Sequence, residues 1–117
     1  MNDVVSPRPP AFPDAVESPT HYKRSSSGLI TEIRAALIED LGDADFLNLE
    51  CFIAMINCLD TVDQIRGYLR GNSFKYRWRY KDKMTPIQDL KKAQWYEKKL
   101  LVLEQTITEA NAKGIFI

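Results

Sequence analysis

Apolar residues recur at spacings of three and four from position 29 onward, which is the period of one face of an amphipathic helix. This pattern predicts a first helix over residues 28–41. A serine within 25–27 is suited to cap its start, and Gly42 is suited to follow its end as the C′ residue. The apolar face of this helix consists of Leu29, Ile30, Ile33, Ala36, Leu37 and Leu41.

A second helix is predicted for roughly residues 46–59, with Asp43 or Asp45 as its N-cap. Its run LECFIAMINCL is apolar on almost all sides, which indicates a central helix packed on several sides. Cys51 and Cys58 are too far apart along one helix for a disulfide, and no His or further Cys stands nearby to complete a metal site. We therefore expect two buried free thiols.

The third helix has a clear start, because Thr61 and Gln64 have the spacing of a capping box. It should extend to about Lys81. Gly67 and Gly71 share one stripe of this helix with Phe74 and Trp78. Two glycines four residues apart allow another backbone, or a ligand, to come close.

The last helix should start at Pro86, because Thr85 fits the N-cap and proline is favoured at the first helical position. It should run to about Ala112, with Gly114 beyond its end. A heptad-like seam along it suits antiparallel or intersubunit packing, so we expect a homo-oligomer formed through this C-terminal helix. The seam consists of Ala93, Tyr96, Leu100, Leu103, Ile107 and Ala110.

The expected fold is all-α, with about four helices in a small bundle and no strand pattern. Residues 1–20 hold five of the six prolines, a density that excludes a regular helix or strand there. We interpret residues 1–20 as a flexible Pro-rich arm, disordered or extended, and the segment KRSSSG at 23–28 as a polar loop, so that arm and loop together take up residues 1–27. A single helical domain should cover residues 28–117.

The net charge of zero conceals two halves of opposite sign. Residues 1–65 hold 11 acids and 4 bases, whereas residues 66–117 hold 5 acids and 12 bases. Such asymmetry indicates either an anionic ligand or acid-to-base pairing between helices or subunits. Charge alone does not choose between these interpretations.

The basic half contains one stripe with candidate chemistry. Asn72, Lys75 and Arg79 align on the third helix, where two cations and an amide could hold a phosphate and the edge of a base. From spacing alone, a solvated basic face is the better-supported interpretation. Asp89 lies in the first turn of the last helix, where the helix dipole favours an acid, or where it could hold an arginine or bind a metal. Glu50, at the edge of the apolar run, is either solvated or faces an interior site.

Several classes of site are missing from the sequence. It has no phosphate loop of the form G-x-x-x-x-G-K-[ST], no dinucleotide-binding glycine pattern and no zinc-ligand spacing. We therefore expect no zinc, haem or flavin. No run of about 18 apolar residues is present, so we expect no membrane span and a cytoplasmic protein.

Four segments of the chain correspond to a known pattern, which reads HY, then GIE-x-x-D, then GN-x-x-KY-x-x-R, then DLKKA-x-WY. In the second segment only the Glu is shared, because Asn48 and Leu49 replace the Gly and Ile. In this chain the segments are His21-Tyr22, Asn48-Leu49-Glu50, residues 71–79 and residues 89–96. The chain thereby resembles a family of small phage proteins, long catalogued as uncharacterised, that includes the nucleotide kinase of bacteriophage T-seven. The resemblance covers residues 49–100 and the HY pair, and it implies the cytoplasm of an infected bacterial host.

The resemblance implies a phage nucleotide-binding protein, and more specifically a kinase of (deoxy)nucleoside monophosphates that uses Mg and ATP without a standard phosphate loop. His21 would act as acid or base, and Glu50 or Asp89 would position magnesium or a cation. Asn72 would contact a sugar or base edge, and Tyr76 or Trp95 would stack on the base. The phosphate contacts would come from Arg70, Lys75, Arg79, Lys83 and Lys92.

Two other functions use the same residues. A non-catalytic binder, such as a counter-defence protein, would sequester a nucleotide signal or block a host defence protein through the basic face. A single-stranded nucleic-acid binder would use the interleaved basic and aromatic side chains, with an affinity that falls steeply as salt is added.

Overall fold

Four α-helices make up most of the described chain. A computed structural model describes residues 19–42, 44–82 and 84–114, and their side chains from residue 28 onward. No strand lies within these ranges, so the predicted all-α fold is confirmed. The helices are α1 (Pro19–Glu39), α2 (Leu49–Cys58), α3 (Val62–Arg79), a 3₁₀ turn (Tyr80–Asp82) and α4 (Pro86–Ala112).

Helix α1 begins at Pro19, nine residues before the predicted start at residue 28. The prediction of a polar loop over residues 23–28 is therefore wrong, as is the serine cap within 25–27. Proline at the first helical position loses no hydrogen bond, because that N–H has no partner inside a helix. The polar residues that follow continue the helix without supplying an apolar face, which is why periodicity missed them.

Helix α1 ends at Glu39, three residues before Gly42. Gly42 has φ of 67°, a conformation that favours glycine, and its N–H donates to Oδ1 of Asp40 at 3.1 Å. The glycine therefore turns the chain after the helix, but it is not the C′ residue that was predicted.

Helix α2 is shorter than predicted and is capped by Asn48 rather than by Asp43 or Asp45. The Asn48 side chain accepts a hydrogen bond from the N–H of Cys51 at 3.0 Å. Asn48 stands where the family pattern has glycine, and its φ of −84° is one that any residue adopts. Asparagine is thus a favourable N-cap here, and the backbone at this position does not require glycine.

The prediction that α2 is packed on several sides is wrong. Only Phe52 and Ile56, one turn apart, are buried on this helix. Cys51 and Cys58 are free, as expected, but both are exposed rather than buried. Because α2 is apolar on almost all sides, its sequence has no clear periodicity. The sequence therefore could not show which one of its faces would pack against the core.

Helices α3 and α4 form an antiparallel hairpin, and both match the predicted bounds closely. The Thr61 side chain accepts from the N–H of Gln64, and the Gln64 side chain accepts from the N–H of Thr61, which confirms the capping box. Ion pairs join the two helices along their length. The Nε atoms of Arg66 and Arg77 lie 2.6 and 2.9 Å from carboxylate oxygens of Glu104 and Glu97.

The core lies where α1, α2 and α3 meet the seam of α4. Five of the six predicted seam positions are buried, and Leu100 is half-buried, so this seam packs within the chain against α3 and α1. A homo-oligomer through this seam, as predicted, requires the seam to be exposed. Because the chain's own helices cover it, the seam is not available to another subunit. The largest fully buried side chains are Phe52, Leu29, Ile33, Leu37, Ile56, Ile65, Leu69, Leu103 and Asp89.

Some predictions fall on residues outside the described ranges. Residues 1–18 of the predicted arm lie there, as do the side chain of His21 and residue Lys83. Of the helices that are described, none combines the length and the apolar character that a membrane crossing requires.

Candidate functional site

Three cations surround the ring of Tyr76. The Nζ of Lys75 lies 4.6 Å from the ring centroid, the Cζ of Arg79 lies 4.8 Å away, and the Nζ of Lys92 lies 5.3 Å away. All three distances are within the range of a cation–π interaction. Together with Asp89, which pairs with Arg79, these residues form what we call the Tyr76 cation cluster.

The helical hairpin brings this cluster together. Lys75 and Arg79 flank Tyr76 on α3, and Lys92 reaches it from the facing part of α4. The Tyr76 ring is only 8% exposed and stacks on Tyr96, with centroids 6.1 Å apart and an interplanar angle of 16°. Because so little of the ring is exposed, it offers almost no surface on which a base could stack. The structure therefore favours a role for Tyr76 in holding the cations rather than the predicted role in base stacking.

Arg79 and Asp89 form the one ion pair with a fully buried carboxylate among the described residues. The Nε of Arg79 donates to Oδ2 at 3.3 Å, and its Nη2 donates to Oδ1 at 3.4 Å. Asp89 is 2% exposed and lies in the first turn of α4. Asp89 therefore holds an arginine, which is one of the two roles left open by the sequence.

The cluster carries more positive than negative charge. Asp89 is its single acid, while Lys75, Arg79 and Lys92 are three bases around one ring. All three cations lie within 5.3 Å of one ring centroid, so the cluster has a net positive charge that would attract an anion. Lys75 is exposed and Lys92 is half-buried, which leaves both able to reach a ligand.

Two other predicted ligand residues are already hydrogen-bonded within the protein. The Nδ2 of Asn72 donates to the carbonyl oxygen of Tyr68 at 2.9 Å, one turn back on α3. The Nε1 of Trp95 donates to the carbonyl oxygen of Leu41 at 3.0 Å, and its ring packs edge-on against Phe52 at 4.7 Å. Trp95 thus joins α4 to α2 and to the end of α1, an arrangement that supports a structural role rather than base stacking.

The remaining predicted residues do not join the cluster. Glu50 is exposed in the first turn of α2, in agreement with the solvated interpretation. Arg70 lies on the outer side of α3, beside Gly67, Gly71 and Phe74. His21 and Lys83 fall outside what the structure describes, so their predicted roles as acid or base and as phosphate ligand stay predictions.

Two polar residues that were not predicted from the sequence, Lys99 and Arg34, donate hydrogen bonds to carbonyl oxygens at the C-terminal ends of helices. The Nζ of Lys99 donates to the carbonyl oxygens of Leu37, at 2.9 Å, and Asp40, where α1 ends. Burial lowers the pKa of Lys99. The Nη2 of Arg34 donates to the carbonyl oxygen of Leu59 at 2.7 Å, where α2 ends. Lys99 could have been found from spacing, because it lies three residues after Tyr96 and four before Leu103, on the core face.

Two further tyrosines, the buried Tyr96 and the half-buried Tyr68, lie next to the cluster. Tyr96, on which Tyr76 stacks, also contacts Tyr68, with ring centroids 6.1 Å apart. Burial is the main cause that raises the pKa of both Tyr68 and Tyr96, and the hydrogen bond with Tyr68 raises that of Tyr96 further. Both groups are therefore neutral at ordinary pH and add no negative charge next to the cations.

The geometry does not include a metal site of the usual kind. Within residues 19–42, 44–82 and 84–114, no three His, Cys, Asp or Glu side chains come close enough together to hold a metal ion. A magnesium ion at the cluster would therefore need most of its ligands from a bound phosphate and from water, which is a common arrangement for that ion.

A family model described as "Protein of unknown function (DUF3310)" matches residues 16–98. This range includes all the residues of the Tyr76 cation cluster. No curated protein and no solved structure matches the chain.

Proposed function

Because the chain belongs to the family described as protein of unknown function (DUF3310), its function has to be inferred from its own side chains, and we propose that it binds a nucleotide through the phosphate groups. The phosphates would lie at the Tyr76 cation cluster. Lys75, Arg79 and Lys92 would contact them, and Asp89 would keep Arg79 in position.

The observation that supports this proposal is the excess of cations around one buried ring. Each cation gains about 0.5–2 kcal/mol from the ring, which helps to hold the three positive charges in one place. A phosphate balances this positive charge and accepts charge-assisted hydrogen bonds, which are roughly twice as strong as neutral ones. The planar Arg79 side chain, held by Asp89 along one edge, has further N–H groups for a second partner.

The choice of a nucleotide among phosphate-bearing ligands comes from the family resemblance in the sequence. The positions shared with the phage pattern include Lys75, Tyr76, Arg79, Asp89 and Lys92. These residues are separated by up to 17 positions in the sequence, yet they meet around one ring. A solvated basic face would not require such convergence.

A nucleotide kinase is the more specific candidate. Phosphoryl transfer needs little covalent chemistry from the protein, and positioning together with positive charge supplies most of the catalysis. The cluster offers both through Arg79 and its two lysine neighbours. Because Asp89 is committed to Arg79, we propose a positioning role for it rather than a role as magnesium ligand or base.

The test combines binding with turnover. The protein is titrated with each deoxynucleoside monophosphate, and in parallel it is incubated with ATP, magnesium and the same monophosphates. Diphosphate product that disappears in Arg79→Ala, but not in Lys98→Ala, would support the kinase. Lys98 is a suitable control because it is exposed on the same helix as Lys92 and lies outside the cluster.

The other results separate the alternatives. Binding without any diphosphate product would leave a non-catalytic nucleotide binder, such as a counter-defence protein. Preference for an oligonucleotide, with an affinity that falls steeply as salt is added, would identify single-stranded nucleic acid as the ligand. If none of the mononucleotides binds, the proposal is wrong.

A further inference from the structure

Two exposed aromatic rings stack on each other on the surface of α3. Phe74 is 65% exposed and Trp78 is 71% exposed. Their ring centroids lie 5.7 Å apart, with an interplanar angle of 26°. Because so much of each side chain remains exposed, Trp78 still offers an aromatic surface on which a planar ligand can stack.

Trp78 is a close neighbour of the Tyr76 cation cluster. Residues three or four apart on a helix lie side by side, with about 5–6 Å between their Cβ atoms. Lys75 is three residues before Trp78 and four residues before Arg79, and all three belong to α3. Lys75 therefore lies between the indole and the guanidinium. The aromatic pair and the cluster form one continuous surface along two turns of the helix.

The charges around the aromatic pair are mostly positive. Residues 64–81 hold six bases and no acid, and the exposed Asp82 follows directly after them. Three of these bases pair with acids of α4. Arg70 and Lys75, four residues before and one residue after Phe74, are exposed and form no ion pair with a residue that the structure describes. A ligand that combines an aromatic ring with a negative charge matches both features of this surface.

The nucleotide proposed above still lacks a partner for its base. Tyr76 is almost fully covered, and Trp95 packs edge-on against Phe52. Of the large hydrophobic side chains that are exposed in the described part of the chain, two are aromatic, and these are Phe74 and Trp78. The exposed rings beside the cluster can therefore take the role that the two covered rings cannot.

We propose that Trp78, packed on Phe74, stacks on the base of a nucleotide whose phosphate lies at the Tyr76 cation cluster. Lys75 would lie beneath the sugar, between the two ends of the ligand. This inference rests on the proposed function, and it adds the part of the surface that holds the base.

The test removes the base and the ring separately. The wild type and its variants are titrated calorimetrically with the four deoxynucleoside monophosphates and with deoxyribose 5-phosphate, which has the phosphate and the sugar but no base. We expect Trp78→Ala to bind the mononucleotides at least about fivefold more weakly, and to bind deoxyribose 5-phosphate within about twofold of the wild type.

Two further variants control this comparison. Trp78→Phe keeps an aromatic ring and should recover most of the lost affinity for the mononucleotides. Leu101→Ala removes a side chain of α4 that is also exposed, at 56%, and lies outside the cluster. It should bind every ligand like the wild type.

Fluorescence gives a second measurement, because Trp78 and Trp95 are the two tryptophans of the chain. A base stacked on Trp78 should quench the emission of the wild type, whereas deoxyribose 5-phosphate should leave it unchanged. In Trp78→Phe, where Trp95 alone emits, the mononucleotides should cause little change.

The possible failures are distinguishable. If no mononucleotide binds the wild type, the proposed function and this inference are both wrong. Equal affinity of the wild type and Trp78→Ala for the mononucleotides would overturn this inference alone, as would an equal loss for deoxyribose 5-phosphate. It would also be overturned if the wild type dimerises in analytical ultracentrifugation and Trp78→Ala does not, because a second copy would then cover the ring.

Discussion

The guanidinium of Arg79 lies along the carboxylate of Asp89, with its Nε 3.3 Å from Oδ2 and its Nη2 3.4 Å from Oδ1. The carboxylate is almost fully buried, whereas about a third of the arginine side chain is exposed. The pair therefore connects the core to the surface. Asp89 fixes one edge of the guanidinium and leaves the rest of Arg79 beside Tyr76, Lys75 and Lys92.

This pair should contribute to stability. Asp89→Asn removes the charge from a buried acceptor, and we expect it to lower the free energy of unfolding by about 1–2 kcal/mol, since solvent at Arg79 screens part of the interaction. Urea denaturation measures the change. Asp82→Asn is the control, because Asp82 is exposed and should change stability by less than about 0.5 kcal/mol. Equal effects in the two variants would contradict the role of the pair.

The two threonine N-caps should differ in their contribution. Thr61 accepts a hydrogen bond from the N–H of Gln64, whereas the side chain of Thr85 makes no capping hydrogen bond at the start of α4. We expect Thr61→Ala to cost about 1 kcal/mol and Thr85→Ala to cost less than half of that. Thermal or urea unfolding of both variants checks the difference, and a larger loss in Thr85→Ala would contradict it.

Lys99 should stabilise the end of α1 through its hydrogen bonds rather than through its charge. Lys99→Met keeps most of the aliphatic stem but leaves the carbonyl oxygens of Leu37 and Asp40 without that donor. We expect a loss of about 1–2 kcal/mol. Lys98→Met, one residue earlier and exposed, should have almost no effect. Hydrogen exchange should also become faster in the last turn of α1 in Lys99→Met alone.

The phenols of Tyr68 and Tyr96 should make the protein sensitive to alkali. Because burial raises the pKa of Tyr68 and Tyr96, the folded state keeps their protons at a pH where the unfolded chain has lost them. Stability should therefore fall as the pH rises above about 10, the ordinary pKa of tyrosine. Tyr96→Phe removes one of these groups, so its stability should fall less steeply over the same range. A parallel decline in both proteins, measured by urea unfolding, would contradict this assignment.

Local signals in the sequence predicted α3 and α4 well, because their starts depend on neighbouring residues. The Thr61–Gln64 capping box and Pro86 act within one turn, and the spacing of three and four along α4 identified its buried seam. The structure also agrees with one of the two roles left open for Asp89. These features need no knowledge of how distant parts of the chain meet.

Packing between distant segments could not be predicted in the same way. Helix α2 is apolar all round, so its sequence could not indicate that Phe52 and Ile56 face the core while Cys51 and Cys58 face water. The family resemblance implies that Trp95 stacks on a base, yet its indole N–H donates to the carbonyl oxygen of Leu41, 54 residues away. The stripe of Lys75 and Arg79 became a candidate site only when Lys92 and Asp89 joined it from α4.

The proposal of a phosphate site at the Tyr76 cation cluster is tested most directly by calorimetric titration with mononucleotides. Three proteins are compared: the wild type, the Lys75→Ala/Lys92→Ala variant and the Lys98→Ala/Lys113→Ala variant. Both variants lose two positive charges, but Lys98 and Lys113 are exposed elsewhere on or just after α4. We expect the cluster variant to bind at least about tenfold more weakly than the wild type and the control variant to stay within about twofold. Equal affinities in all three proteins, or equal losses in both variants, would contradict the site.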